Sequence, residues 1–190
     1  ASLYEGTLTG ALALNANGNQ VVLKETLTNV AIGPLLRDLA ERDVIEGRGN
    51  VSLDVNASGA SVNAMKKMLA GSARVVFRDG AIKGINLAET LRKTKSAFGS
   101  KSTQQQGADK TQKTDFSELS ASFSIRGGVA HNEDLSAKAP LFRLAGAGDI
   151  DIGGSRLNYL AKASVVATSK GQGGGDLGHI AGLTVPVKLT

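Results

Sequence analysis

Between Leu119 and Val129 the chain alternates at period two. Leu119, Ala121, Phe123, Ile125 and Val129 fall on one face, and Ser120, Ser122, Ser124 and Arg126 on the other. Side chains alternate across a strand, whereas a 3.6-residue period would scatter these positions around a helix. The stretch is therefore predicted as a strand with one apolar and one polar face. That constrains the whole domain, because an antiparallel sheet with one apolar face has to cover it.

The same signature recurs along the chain. Thr7 to Asn15 carries Leu8, Leu12 and Leu14 on one face. Gln20 to Val30 sets Val21, Leu23 and Leu27 against Val22, Lys24 and Thr26. Asn17-Gly18 between these two runs predicts a hairpin turn. Gly49 to Ser58 aligns Val51, Leu53, Val55 and Ala57, and Ala73 to Arg78 points Val75 and Phe77 inward and Arg74 and Arg78 outward. Asp79-Gly80 then reads as a turn. Leu135 to Ala139, Arg143 to Ile152 and Leu157 to Val166 follow at the short spacing of a β-meander. The closing Leu183 to Leu189 reads as a last strand, placed at an edge because Pro186 cannot donate to a ladder. A gapped internal repeat relates residues 10–18, 49–59 and 146–154.

Three short amphipathic helices are predicted between the strands. Gly33-Pro34 opens the first, with Pro34 at the first helical position; Leu35, Leu36, Leu39 and Ala40 form its stripe, and it ends by Val44. Ser61 caps the second, which lines up Val62, Met65 and Leu69 with Met68 beside them. Asn86 and Glu89 form a capping box for the third, with Leu87 and Leu91 on its apolar edge. Residues 99–114 contain one alanine and no larger apolar side chain, so they are predicted to be a flexible loop. Residues 1–190 thus read as one mainly β (β+α) domain, a largely antiparallel sheet of repeated strand units with about three short helices.

No constellation for catalysis or cofactor binding emerges. The stretch from Val75 to Lys93 begins as strand, glycine turn and helix, but lacks the Lys-Ser/Thr after its second glycine, Gly84, that a phosphate loop needs. One anion at the helix start at Asn86 is the residual alternative. Residues 173–178 match G-x-G-x-x-G literally, but no helix opens there and the chain ends too soon for the acidic partner. Asp149 and Asp151 lack the closing glutamate of a calcium loop, and His131, in a polar turn, and His179 form no metal-binding pair. There is no cysteine, which removes thiolate catalysis. The expectation is no enzyme, no metal and no cofactor. The net charge is +5 with a sequence pI near 9.6, yet the basic residues form no run or ribbon, so nucleic acid is not expected as a partner. No apolar run approaches the roughly 18 residues that span a bilayer. Beginning at Ala1 and entering strand structure at once, the chain reads as an excised fragment, so the lack of an anchor here does not mean that the parent lacks one.

Residues 3–15, 47–59, 69–93 and 180–190 resemble the C-terminal domain of AsmA-like proteins, most specifically in D-G-A-I-K-G-I-N-L-A from Asp79 to Ala88. That resemblance implies a curved β-sheet with an apolar trough, related to bridge-like lipid transfer proteins. It also implies a periplasmic module of Gram-negative bacteria, tethered to the inner membrane by an N-terminal helix and linked to outer-membrane biogenesis and phospholipid transport. It brings no catalytic residues. Two readings of the apolar face stay open: a core sealed by helices, or an open trough. For the trough, the expected contacts with phospholipid acyl chains are Leu12, Leu14, Leu53, Val55, Val75, Phe77, Leu119, Phe123 and Ile125. The alternative function is a scaffold that caps the array or docks an envelope protein through an edge strand such as Leu183 to Leu189.

Overall fold

The computed structural model describes residues 1–40, 43, 45–83, 113–140, 142–166 and 184–189. They form one open antiparallel sheet of ten strands in sequence order: β1 (Ser2–Leu3), β2 (Gly6–Asn15), β3 (Gln20–Ala31), β4 (Ile45–Ser58), β5 (Ala70–Lys83), β6 (Lys113–Arg126), β7 (Val129–Lys138), β8 (Phe142–Asp151), β9 (Arg156–Val165) and β10 (Thr184–Leu189). Helix α1 (Ile32–Ala40) joins β3 to β4, and α2 (Val62–Lys67) joins β4 to β5. These are the two helices among the described residues. The third predicted helix, with Asn86, Glu89, Leu87 and Leu91, lies outside them.

The alternation read from the sequence sets the two faces, and the register aligns them across strands. One cross-strand row runs Leu8, Leu27, Val51, Val75, Ala121; the next runs Gly49, Phe77, Leu119, Ala137, Leu144, Ala163. We call this apolar side the inner face. The outer face carries Thr26, Ser52, Arg74 and Ser122 in one row. The largest core cluster joins α1 (Ile32, Leu35) to Leu27, Val30, Val51, Phe77, Phe116 and Leu119 of the inner face. A smaller cluster of Val55, Ile125 and Ala130 lies toward the other end of the strands.

Several local features differ from the sequence reading. Asp79-Gly80 does not end a strand. β5 runs through to Lys83, and Asp79, at φ +49°, contributes an extra residue opposite Gly47 of β4, which makes a β-bulge. The strand predicted from Leu119 to Val129 is cut by a two-glycine turn, Gly127 and Gly128 at φ +55° and +76°, so Val129 starts β7. Both glycines take the left-handed conformation that a tight hairpin requires. The first hairpin turns through a 3-10 segment, Ala16–Gly18, with the Asn15 side chain accepting from the Asn17 N–H and Asn19 left-handed, and not through Asn17-Gly18 alone. α1 starts at Ile32, two residues before Pro34. β6 begins at Lys113, two residues inside the stretch read as a loop, because Thr114 is buried opposite Ile82; residues 99–112 lie outside the described residues. His131, read into a turn, sits within β7.

Pro186 lies in β10, which among the described residues pairs with β9 alone, an edge position that suits a residue without an N–H.

Candidate functional site

The inner face does not close on itself everywhere. A cavity of about 570 Å³ lies between α1 and the sheet. Ile32, Leu35 and Leu36 of α1 form one wall, and the opposite wall runs from Leu53 of β4 through Val75, Phe77, Leu119, Ala121 and Phe123 to Tyr159 and Ala161 of β9. β4 and β9 are five strand spacings apart, about 24 Å along a flat sheet. The lining therefore spans six adjacent strands, β4 to β9. The volume lies within the roughly 300–1,000 Å³ of small-molecule pockets.

Five of the nine residues expected to contact acyl chains line this cavity: Leu53, Val75, Phe77, Leu119 and Phe123. Val55 and Ile125 do not. They are buried in the smaller cluster beyond it, to which Phe123 also packs. Leu12 and Leu14 share the inner face, in register with Leu23 and Val21, but lie near the sheet edge and are 57% and 71% exposed. Period-two patterning groups all nine on one face, and the register places them together on the inner face; it could not say which of them another element covers. α2 covers little. Of its predicted stripe, Met65 is half-buried and Leu69, just past the helix, packs against the smaller cluster, but Val62 and the neighbouring Met68 are 72% and 58% exposed, because a six-residue helix at the end of the strands does not reach across the face.

Polar groups meet the cavity at two places. Thr114 lies at the α1 end, and Tyr159 lies on β9. The Tyr159 hydroxyl donates to the Asn132 side-chain oxygen, and burial, with the nearby Asp134 charge, pushes the phenol up to about 12. Asn132 is itself fully buried. Its amide donates to the Ser122 carbonyl and to the Asp134 carboxylate, each at 2.7 Å, and its oxygen accepts from the Leu135 N–H at 3.3 Å. Register jumps on both sides of β7 show a bulge at residues 133–134, which this amide fastens. The lining is thus apolar, with its tyrosine hydroxyl already committed to the protein.

One inner-face residue breaks the pattern. Glu25 stands in the row Gly10, Glu25, Leu53, Ala73, Phe123, where every neighbour is apolar or glycine. Its Oε2 is buried without a hydrogen-bond partner, and it lies over Gly10, where a Cβ would come within 2.6 Å of it. The signal was present in the sequence: Glu25 has the parity of Leu23 and Leu27.

Charged groups elsewhere sit on the outer face or at strand ends. His131 bridges Asp149 (2.7 Å) and Glu133 (3.0 Å), and these two carboxylates raise its pKa. Asp151 pairs with Arg156 at 2.7 Å and accepts from the Gly154 N–H. Among the described residues no group of three or more His, Cys, Asp or Glu side chains is placed to hold a metal, and no helix is long and apolar enough to cross a membrane.

A model of the AsmA family matches residues 1–135, which is β1 through the first part of β7; the closing segment, where the resemblance was also read, lies beyond the match. No curated protein and no solved structure matches the chain.

Proposed function

Because the chain belongs to the AsmA family, we propose that it is a non-enzymatic module of the cell envelope that holds phospholipid acyl chains in its inner-face cavity. The observation that carries this reading is the cavity: about 570 Å³, walled by leucine, isoleucine, valine, alanine and aromatic side chains, with Thr114, from α1 and six strands. An acyl chain needs no directional contact. At about 25 cal/mol per Å² of apolar area removed from water, methylene burial alone supplies the affinity. Such a site shows no catalytic motif in its sequence, which fits the lack of one. We place the module in the periplasm, attached to the inner membrane through the parent protein, and assign it to phospholipid transport between the membranes.

Purification of the chain under mild conditions, followed by native mass spectrometry, tests this. We expect co-purifying phospholipid. Ala121 is buried on the cavity wall. Ala121→Trp fills the space at an overpacking cost of about 1–3 kcal/mol and is expected to fold but lose the lipid. Ser120→Trp, one residue away on the outer face, is expected to keep it. An empty wild-type protein, or equal lipid on both variants, contradicts the reading.

A further inference from the structure

Glu25 is the one acid on an inner-face row that otherwise reads Gly10, Leu53, Ala73 and Phe123. It lies in the middle of β3, with β2 paired on one side and β4 on the other, so no sheet edge enters its surroundings. The rows on either side are apolar as well. Leu12 faces Leu23, which faces Val55, and Leu8 faces Leu27, which faces Val51. Glu25 Oε2 is shut off from solvent and has no hydrogen-bond partner among the described residues. A polar atom so placed is costly, and those that folds retain are usually satisfied by something. The adjacent Lys24 does not serve, since it stands on the outer face and pairs with Asp54 at 2.9 Å. The carboxyl leans away from β4, over Gly10. Gly10 makes the room for it, because a Cβ there would meet Oε2 at 2.6 Å. The same row leads into the cavity: Leu53, the direct partner of Glu25 on β4, lines it, and so does Phe123. From Leu53 to the carboxyl over β2 is about two strand spacings, roughly 10 Å. An apolar cavity and an acceptor without a donor thus stand at the two ends of one short track.

Resting on the reading that the cavity holds acyl chains, we propose that Glu25 receives the headgroup of the same lipid, and that this headgroup carries a hydrogen-bond-donating ammonium. A carboxylate offers an acceptor and a negative charge together. An N–H on a cationic nitrogen answers both, in a charge-assisted hydrogen bond roughly twice as strong as a neutral one. A quaternary ammonium brings the charge without the N–H. An anionic headgroup brings like charge against Glu25. The site therefore selects an ethanolamine headgroup over a choline or a glycerol one, while the acyl chains in the cavity supply affinity common to all three. Low dielectric on the apolar row strengthens the bond once it is made, and the same dielectric makes the empty acceptor costly.

The test takes the intact chain, stripped of lipid, and offers it phosphatidylethanolamine, phosphatidylcholine and phosphatidylglycerol with identical acyl chains at equal concentration. Native mass spectrometry counts what is bound. The wild-type chain is expected to hold phosphatidylethanolamine over each of the others by about tenfold, the worth of a charge-assisted hydrogen bond. Glu25→Leu is expected to bring it down to the level of phosphatidylcholine, and the isosteric Glu25→Gln to lower the preference as well. Free ethanolamine, without acyl chains, is expected to show no measurable binding in calorimetry. A wild-type chain that holds the three lipids equally, or a preference that survives Glu25→Leu, overturns this inference and leaves the acyl-chain reading standing. Free ethanolamine bound as tightly as the lipid also overturns it, since the amine alone would then be the ligand. A chain that holds none of the three lipids overturns both.

Discussion

Asn132 fastens the bulge of β7 with hydrogen bonds to Ser122, Asp134, Leu135 and Tyr159, all made from a fully buried amide. Removing it leaves a buried hydroxyl, a carbonyl and an N–H without their partner, at about 1–3 kcal/mol for each group that water cannot reach. We expect Asn132→Ala to lower stability by about 2–5 kcal/mol in urea titration, with the sheet content of the remaining folded protein unchanged. Glu25 presents the opposite case. Its buried oxygen has no partner on an otherwise apolar row, so Glu25→Leu is expected to raise stability by about 1–3 kcal/mol, measured in the same titration. Neither residue is identifiable by motif. Glu25 betrays itself only by parity, and Asn132 only through contacts that a two-residue-period reading of a turn, His131 to Asp134, does not contain.

At the scale of elements, α1 and α2 behave differently although both read as amphipathic helices. α1 spans nine residues and buries Ile32 and Leu35 against Val51, Phe77 and Leu119. Leu35→Ala is expected to cost about 2–5 kcal/mol, whereas Val62→Ser on exposed α2 should stay within about 0.5 kcal/mol. Thermal or chemical denaturation of the two variants separates them. The reach of α1 and α2 was not legible from their stripes, since a stripe records a helix's preference and not the length of face available. The β5 bulge is a similar case. Asp-Gly is turn chemistry, and only pairing with both β4 and β6 keeps that strand going to Lys83. At that end Glu46 bridges Lys113 and Lys83, each at 2.7 Å, and Lys83 also reaches Asp43 at 2.8 Å. The Lys113 and Lys83 ammonium groups lower the Glu46 pKa from 4.5 to about 2. A depressed folded pKa stabilises above the unfolded value and loses that contribution as pH falls through the folded one. The stability lost between pH 4.5 and 2 should therefore be smaller in Glu46→Gln, read from denaturation midpoints across that range.

At the scale of the molecule, ten strands among the described residues pair strictly in sequence order, and six of them, β4 to β9, line the cavity. The mainly β class, the antiparallel order and the terminal place of Pro186 were legible, because alternation and turn residues are local. The site was half legible. The inner-face residues were named from parity, but the division among cavity wall (Phe77, Phe123), sealed cluster (Val55, Ile125) and exposed edge (Leu12, Leu14) depends on what α1 covers and where the sheet ends. Those are tertiary facts. In the proposed function the inner face, and not the sheet as a whole, meets lipid. Phe123 and Ser124 are adjacent in β6 and point to opposite faces, Phe123 onto the cavity and Ser124 to solvent. A photo-crosslinking residue placed at each position, in chain expressed in cells that supply phospholipid, gives the most direct reading. Crosslinked phospholipid at position 123 and none at 124 is the predicted result; equal labelling at the two positions, or none at 123, contradicts the account.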